Sequence, residues 1–261
     1  MRFHLSEYKE KLCKWIHSKK EDSTKFNAEN LLRVETAPFA VVEAYSTART
    51  NILYLGFSEK GRVIVVSSAS ANEGKSLTCT NLAVSFAQGG KRVLVIDGDM
   101  RNPTQSFSFS HLSSEEISFQ KEGLSEYLAE LSEEPLIQQT TLPNVDLLVA
   151  GNCPPDPSAL TGSQRMEELL KTVGEKYDVV LLDMPPIGLV PDAIAVARYV
   201  AGYILVVKSG SSEPKNVKNA IAALERVDGK ILGLVLNGVV AKRGKYRSYY
   251  YHYYDKKESK E

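Results

Sequence analysis

Cysteine is scarce and scattered. The 261 residues hold three, Cys13, Cys79 and Cys153, with no C-x-x-C pair. That spacing excludes a disulfide framework and a cysteine metal site, and it points to a reducing compartment. Long apolar runs are missing: nothing approaches the roughly 20 residues that span a bilayer. The N-terminus has no apolar core of the kind that marks a secretory signal, so the expectation is a cytoplasmic protein. Net charge is missing too. Lys+Arg 32 balance Asp+Glu 32, so bulk electrostatics names no partner and nucleic acid is not expected. No internal repeat is visible. What remains is an ordinary globular composition, 43% hydrophobic and 25% charged, at a length that suits one large α/β domain.

The apolar residues come in short runs rich in β-branched side chains: 63–68 (VIVVSS), 92–97 (RVLVID), 145–151 (VDLLVAG), 178–183 (DVVLLD), 203–208 (YILVVK) and 231–237 (ILGLVLN). Their apolarity is continuous rather than alternating, which predicts strands buried on both faces of a parallel sheet. Helical patterns lie between them, over 75–88, 163–175, 192–201 and 215–227, and Gly89-Gly90 supplies a stop for the first. Strand and helix in alternation predict an α/β fold, a doubly wound, mostly parallel sheet covered by helices. This domain is assigned to residues 36–240. Residues 105–120 read as a mobile loop.

The ends read differently. Leu5, Tyr8, Leu12 and Ile16 fall at helical spacing among lysines, so residues 1–35 are expected to form a basic, partly mobile amphipathic segment, docked on the body or lying on an anionic membrane surface. From 241 to 261 the apolar pattern gives way to charge and tyrosine, which predicts a disordered tail. Six tyrosines stand there in nine positions: Tyr246, Tyr249, Tyr250, Tyr251, Tyr253 and Tyr254. Tyrosine is usually buried, so a cluster on a polar tail asks for a purpose.

The chemistry concentrates at strand ends. After the first run comes SSASANEGKS, whose Gly74-Lys75-Ser76 closes a phosphate-binding loop and opens a helix. Backbone N–H groups of Ala71, Asn72, Glu73, Gly74 and Leu77 with the helix N-terminus are suited to cradle phosphate oxygens. Lys75 reaches the β- and γ-phosphates and the Ser76 hydroxyl binds Mg²⁺. The usual first glycine of this pattern is Ala69. Asp97 and Asp99 follow the second run, spaced so that both point toward one site, and Asp183 ends another buried run. Such an acid commonly holds Mg²⁺ through water, opposite the phosphate loop.

Taken with the segments EAYSTARTNI (43–52), LVIDGDMRNPTQ (94–105), GLSEYL (123–128), GNCPPDPSAL (151–160), VVLLDMPPIGLVPDA (179–193), LVLNGV (234–239) and the tyrosine tail, these residues resemble the bacterial tyrosine kinases of capsular and exopolysaccharide synthesis. The likeness is to the separately encoded cytoplasmic form, over everything after about residue 35. The resemblance implies a P-loop NTPase fold, ATP and Mg²⁺ as cofactors, and Lys75, Asp97, Asp99 and Asp183 as catalytic residues. Asp99 would accept the tyrosine proton. Ser76, Asp97 and Asp183 would stand at the metal, Asn237 would read adenine, and Arg101 would steady the acid pair or the phosphates. It further implies self-association as a ring octamer, with the tail tyrosines phosphorylated in a neighbouring copy. A membrane-bound polysaccharide co-polymerase would serve as adaptor, its cytoplasmic segment completing the active state at the inner face of the membrane. The family favours Glu-x-x-Arg-x-x-Arg on the helix that joins ring neighbours, and here the middle arginine is Ser46, between Glu43 and Arg49, which removes a bidentate ion-pairing group.

Two other readings stay open on sequence. A partition or positioning ATPase of the same superfamily carries a second lysine five residues before Lys75, where this chain has Ser70, and it lacks a tyrosine tail. An ATP-binding regulatory scaffold with weak kinase activity would keep the pocket and turn over little.

Overall fold

The six apolar runs become strands of one sheet. The computed structural model describes residues 37–55, 63–110 and 122–239; the basic segment, the tyrosine tail and most of the 105–120 stretch lie outside these. Helix α1 (Phe39–Tyr54) precedes β1 (Val63–Ser68), α2 (Lys75–Gln88) and β2 (Val93–Asp97). Short helices α3 (Gln105–Ser110) and α4 (Leu124–Leu128) lead to β3 (Gln138–Gln139) and β4 (Val145–Leu148). Then come α5 (Pro157–Thr161), α6 (Gln164–Lys176), β5 (Val179–Asp183), α7 (Asp192–Ala195), β6 (Gly202–Lys208), α8 (Pro214–Glu225) and β7 (Ile231–Asn237). The strand order is β3-β4-β2-β5-β1-β6-β7. All neighbours are parallel except β3, which pairs antiparallel with β4. Among the described residues no helix is long and apolar enough to cross a membrane.

Continuous apolarity along β1 is explained by the two cores it serves. Val63 and Val65 pack on one face with Met166, Leu170, Val217 and Ile221 of α6 and α8. Ile64 and Val66 pack on the other with Leu82 and Phe86 of α2 and Ile52 of α1. Successive strand residues point to opposite faces, so a strand between two helical layers can spare no polar position until its C-terminal tip. The polar residues of β1, β2 and β5 sit at that tip, and that is where the site forms.

The helices follow their local signals with some departures. Helix α2 has the predicted limits and ends at Gly89, with Gly90 at φ 77°. Ser163 is the N-cap of α6, its hydroxyl accepting the Met166 N–H at 3.2 Å, rather than its first residue. The predicted helix over 192–201 divides into α7 and a 3-10 turn, Ala197–Tyr199. Val196 leaves the α-helical path there and accepts from Tyr199 N three residues on, at 2.9 Å. The loop expected over 105–120 begins as helix α3. Its serines hide the periodicity, but Phe109 is buried and the Ser108 N–H reaches the Thr104 carbonyl at 3.0 Å. Strand β7 is only half-buried along its length, because it is an edge strand rather than one covered on both sides.

Candidate active site

Open parallel sheets bind ligands at the carboxyl ends of their strands. Here β1, β2 and β5 deliver Lys75, Asp97, Asp99 and Asp183 to one place. The loop between β1 and α2 reaches it through two left-handed residues, Asn72 at φ 61° and Gly74 at φ 90°. Asparagine tolerates that region better than most side chains. Gly74 is also the place where a Cβ would collide with the Asn237 amide. That amide donates to the Glu73 carbonyl at 3.1 Å, so the tip of β7 holds the loop from below. The Glu73 carboxylate is folded under the loop. It accepts the N–H groups of Ala69 and Ser70 at 2.9 and 3.0 Å, and the Ser212 hydroxyl donates to its other oxygen.

Gly98 lets the acid pair approach β5. Its N–H donates to the Asp183 carbonyl at 2.8 Å, and a Cβ there would strike Met184. Asp97 accepts three backbone N–H groups, from Thr104 at 2.9 Å, Gln105 at 2.8 Å and Asp99 at 3.3 Å. It therefore shapes the turn that carries Asp99. The Lys75 ammonium lies 2.8 Å from Asp99 and 3.5 Å from Asp183, and donates to the Ser76 hydroxyl at 3.1 Å. Gln105 closes the ring of contacts. Its amide donates to Asp183 at 2.7 Å and to the Ser76 carbonyl at 3.1 Å, while Thr80 donates to its oxygen at 2.8 Å.

The charges are buried and unequal in number, three carboxylates around one ammonium. Burial pushes the Asp97 carboxyl up and the nearby Asp183 charge pushes it further, to about 7, against the pull of the Gln105 and Thr104 N–H groups and of Lys75. For Lys75 burial disfavours the charge, but the attraction of Asp183 and Asp99 outweighs it and holds the ammonium above the ordinary lysine range. One oxygen of Asp183, Oδ1, is buried without a hydrogen-bond partner. Its charged neighbour is the Lys75 ammonium, 3.5 Å away, and a buried carboxylate oxygen with an ion pair but no hydrogen bond is incompletely compensated.

That oxygen is the test for a metal. The same Lys75 ammonium that faces it at 3.5 Å also donates to the Ser76 hydroxyl at 3.1 Å, which brings these two oxygens to one cation. Among the described residues no three His, Cys, Asp or Glu side chains converge to make a protein-only metal cage. Mg²⁺ does not need one, since it takes one or two protein ligands and completes its shell with water and substrate phosphates. The donor set fits Mg²⁺ arriving with a nucleotide, held by Ser76 and Asp183. Asp97 is close behind, with both oxygens already engaged.

Arg101 lines the same cavity but does not touch the acid pair. Its guanidinium grips the fully buried Asp192 at 3.0 and 3.3 Å, and Ser158 also donates to Asp192 at 2.6 Å. The expected contact with Asp97 and Asp99 gives way because Asp192, at the start of α7, needs a cation to be buried. The tail tyrosines Tyr246, Tyr249, Tyr250, Tyr251, Tyr253 and Tyr254 lie outside the described residues. On α1, Arg49 turns back onto the C-terminal end of α2, donating to the Ser85 carbonyl, and touches Ser46 at 3.4 Å.

Sequence reasoning missed the tasks of Gln105, Ser212 and Asp192, and the carboxylate role of Glu73. Gln105, Asp192 and Glu73 stood inside quoted segments with no side-chain role attached; Gln105, Asp192 and Ser212 carry no local signal because their partners come from distant segments.

A cavity of about 320 Å³ opens above these groups. It is lined by the loop residues Ala71, Asn72, Gly74, Lys75, Ser76 and Leu77, by Asp99, Arg101, Asn102 and Thr104, and by Pro185, Pro186, Leu189 and Val190.

Known proteins resemble this chain in sequence and fold. The family described as AAA domain matches residues 61–212. The tyrosine-protein kinase YwqD of Bacillus subtilis (strain 168) is 36% identical over 210 residues, 80% of this chain and 85% of YwqD. The putative tyrosine-protein kinase CapB of Staphylococcus aureus is 33% identical over 214 residues, 82% of this chain and 90% of CapB. Among solved structures, the chimerical protein CapA2B2 superposes with a TM-score of 0.74 at 30% identity, covering 90% of this chain and 99% of the chimera.

Proposed function

The chain belongs to the bacterial tyrosine-protein kinases, and from that membership we propose that it moves the γ-phosphoryl group of ATP onto the tyrosines of its own tail, residues 241–261, in a neighbouring copy. The observation that carries this reading is the Lys75 ammonium held 2.8 Å from Asp99 at the strand tips, under a loop shaped for phosphate. The nucleotide gives Lys75 a stronger anionic partner and draws it off Asp99. The freed carboxylate then accepts the phenol proton as the tyrosine oxygen bonds to the γ-phosphorus. The bond to the bridging oxygen breaks and ADP leaves. A phenol has a pKa near 10 and is a poor nucleophile at neutral pH, so a positioned base is worth roughly 10²–10⁴-fold. Mg²⁺, held by Ser76 and Asp183 with Asp97 behind them, would neutralise charge on the phosphate oxygens. Asn237 supports the loop, its amide donating to the Glu73 carbonyl and accepting the Gly238 N–H at 2.8 Å, and recognition of the adenine base by Asn237 is part of this proposal.

Residues 36–240 act as the kinase unit, and residues 1–35 help bring it to a membrane. The activating partner is a membrane-bound adaptor of capsule or exopolysaccharide synthesis, whose cytoplasmic segment completes the site, and the copies assemble in a ring, an octamer. Phosphotyrosine adds roughly −2 charge each, so modified tails repel one another and loosen the ring. The test is phosphotyrosine mapping on wild type, Lys75→Met and a chain cut after residue 240, each with and without the adaptor segment. Modification confined to the tail and abolished by Lys75→Met is expected. Free phosphate released while the tail stays bare would instead make the protein an ATPase.

A further inference from the structure

Gln105 is fully buried and does not line the cavity, so it acts from behind the site rather than on a reactant. A buried amide has two N–H donors and an acceptor oxygen, and burial demands partners for them. Those partners come from two segments far away in sequence. The nitrogen donates to Asp183 Oδ2 at 2.7 Å, at the tip of β5, and to the Ser76 carbonyl at 3.1 Å, in the first turn of α2. The oxygen accepts the Thr80 hydroxyl at 2.8 Å, one turn further along α2. The amide has one sensible orientation, because a carboxylate and a carbonyl can only accept, and the nitrogen must meet both. Its backbone is pinned as well, with the Gln105 N–H donating to Asp97 at 2.8 Å. The consequence falls on Asp183, whose two oxygens become unequal. Oδ2 is engaged by the amide, whereas Oδ1 has no hydrogen bond and faces the Lys75 ammonium at 3.5 Å.

We propose that Gln105 is a positioning residue for the Mg²⁺ that accompanies the nucleotide. It holds Asp183 by Oδ2 so that Oδ1 is the oxygen offered to the cation, and it ties that carboxylate to the backbone of Ser76, the other protein ligand. The inference rests on the Mg²⁺–nucleotide part of the reading above and needs no tyrosine acceptor. A hydrogen bond behind a metal ligand orients it, and losing one typically costs roughly 10–100-fold in metal affinity. Glutamine suits the place because it alone among the uncharged side chains of this length donates to a carboxylate and accepts a hydroxyl together.

The test uses the full chain and reads binding. A fluorescent ATP analogue is titrated into wild type, Gln105→Met, Asp183→Asn and the double variant, with Mg²⁺ and with EDTA, and urea midpoints are recorded alongside. Methionine keeps the length and bulk, and the Thr80 hydroxyl can turn to the Ser76 carbonyl, already 3.0 Å away. Asp183 Oδ2 is then the group that loses its donor. The gain in affinity that Mg²⁺ brings to wild type is expected to shrink roughly 10-fold in Gln105→Met, while affinity in EDTA stays within about twofold. In the Asp183→Asn background the same change should add less than about twofold, because the residue it acts through is already altered. An equal loss with and without Mg²⁺, or an undiminished loss in the Asp183→Asn background, overturns the proposal. Gln105→Asn, which keeps an amide one methylene short of reach, is the second variant; if both it and Gln105→Met unfold, the residue serves the fold and the proposal falls. A wild type whose affinity ignores Mg²⁺ also overturns it. Bare tail tyrosines in a wild type that binds Mg²⁺ and nucleotide together overturn the kinase reading alone, and the role of Gln105 stands.

Discussion

The two ends of the sheet handle acid in opposite ways. At the carboxyl end, Asp97, Asp99 and Asp183 are buried around a single ammonium, and Asp183 Oδ1 has no hydrogen bond, only that ammonium 3.5 Å away. At the amino end, Asp146 accepts the Tyr177 hydroxyl at 2.7 Å, and Asp178 accepts the Arg92 N–H at 2.9 Å with the guanidinium beside it, all partly in water. Solvent and neighbours satisfy the second pair of acids. The first three share one ammonium and the N–H groups of neighbouring residues, out of reach of solvent. The difference teaches which end is built to hold its fold and which to wait for a reactant.

The sharpest way to break this contrast is to neutralise Asp99, the base of the proposed transfer. Asp99→Asn keeps the shape but cannot accept a proton, and it leaves Lys75 with Asp183. Transfer to tyrosine is expected to fall roughly 10³-fold, with nucleotide affinity little changed, as measured by single-turnover kinetics beside analogue binding. A loss confined to nucleotide affinity would make Asp99 a binding group. Next comes Asp183→Asn. It removes a buried charge that repels Asp97 and carries the orphan oxygen. Activity should drop roughly 10²-fold, comparable to losing one preorganised charged group, while the urea midpoint of the free protein holds or rises. A midpoint that falls with activity would mean that Asp183 serves the fold, as the acids at the other end do.

How far this contrast was legible in sequence follows from the range of each signal. Strands wear their burial on the surface of the sequence, because both faces of β1, β2 and β5 must be apolar, and the runs were found to within a few residues. Helix α2 announced both its ends. Helices α3, α4 and α5 span five or six residues, too short for a period of 3.6 to show. The two-residue β3 is invisible for the same reason. Within the site, Lys75, Asp97, Asp99 and Asp183 were readable because each opens a helix, ends a strand or follows a strand end by two residues. Arg101 was placed by its neighbours in sequence, but its partner Asp192 comes from far along the chain, at the start of another helix. Gln105 and Glu73 act through contacts that only folding creates.

At the amino end the expected effects are smaller and spare the chemistry. Tyr177→Phe deletes the bond to Asp146. The hydroxyl there is half-buried, and burial together with the neighbouring carboxylate raises its pKa above the ordinary tyrosine value, so it donates at all working pH. Stability should fall by about 1 kcal/mol, the usual net worth of such a bond, in urea unfolding at pH 7, and phosphotransfer should be unchanged. Altered transfer would mean that the two ends are coupled through the sheet.

The smallest effect has the clearest sign. Glu126, on α4 near the cavity end of β4, is partly exposed. Burial raises its pKa, but the N–H groups of Gly123 and Asn152 and the side chains of Asn152 and Ser125 overcome this and hold it down at about 2. A carboxyl depressed in the folded state stabilises the protein above its ordinary value near 4.5, and that contribution disappears as pH falls toward 2. Glu126→Gln should therefore lower the melting temperature slightly at pH 7, and the gap from wild type should narrow steadily below pH 4.5. A gap that stays constant across that window would mean that the glutamate holds Gly123 and Asn152 by shape alone, and that its charge contributes nothing to the fold.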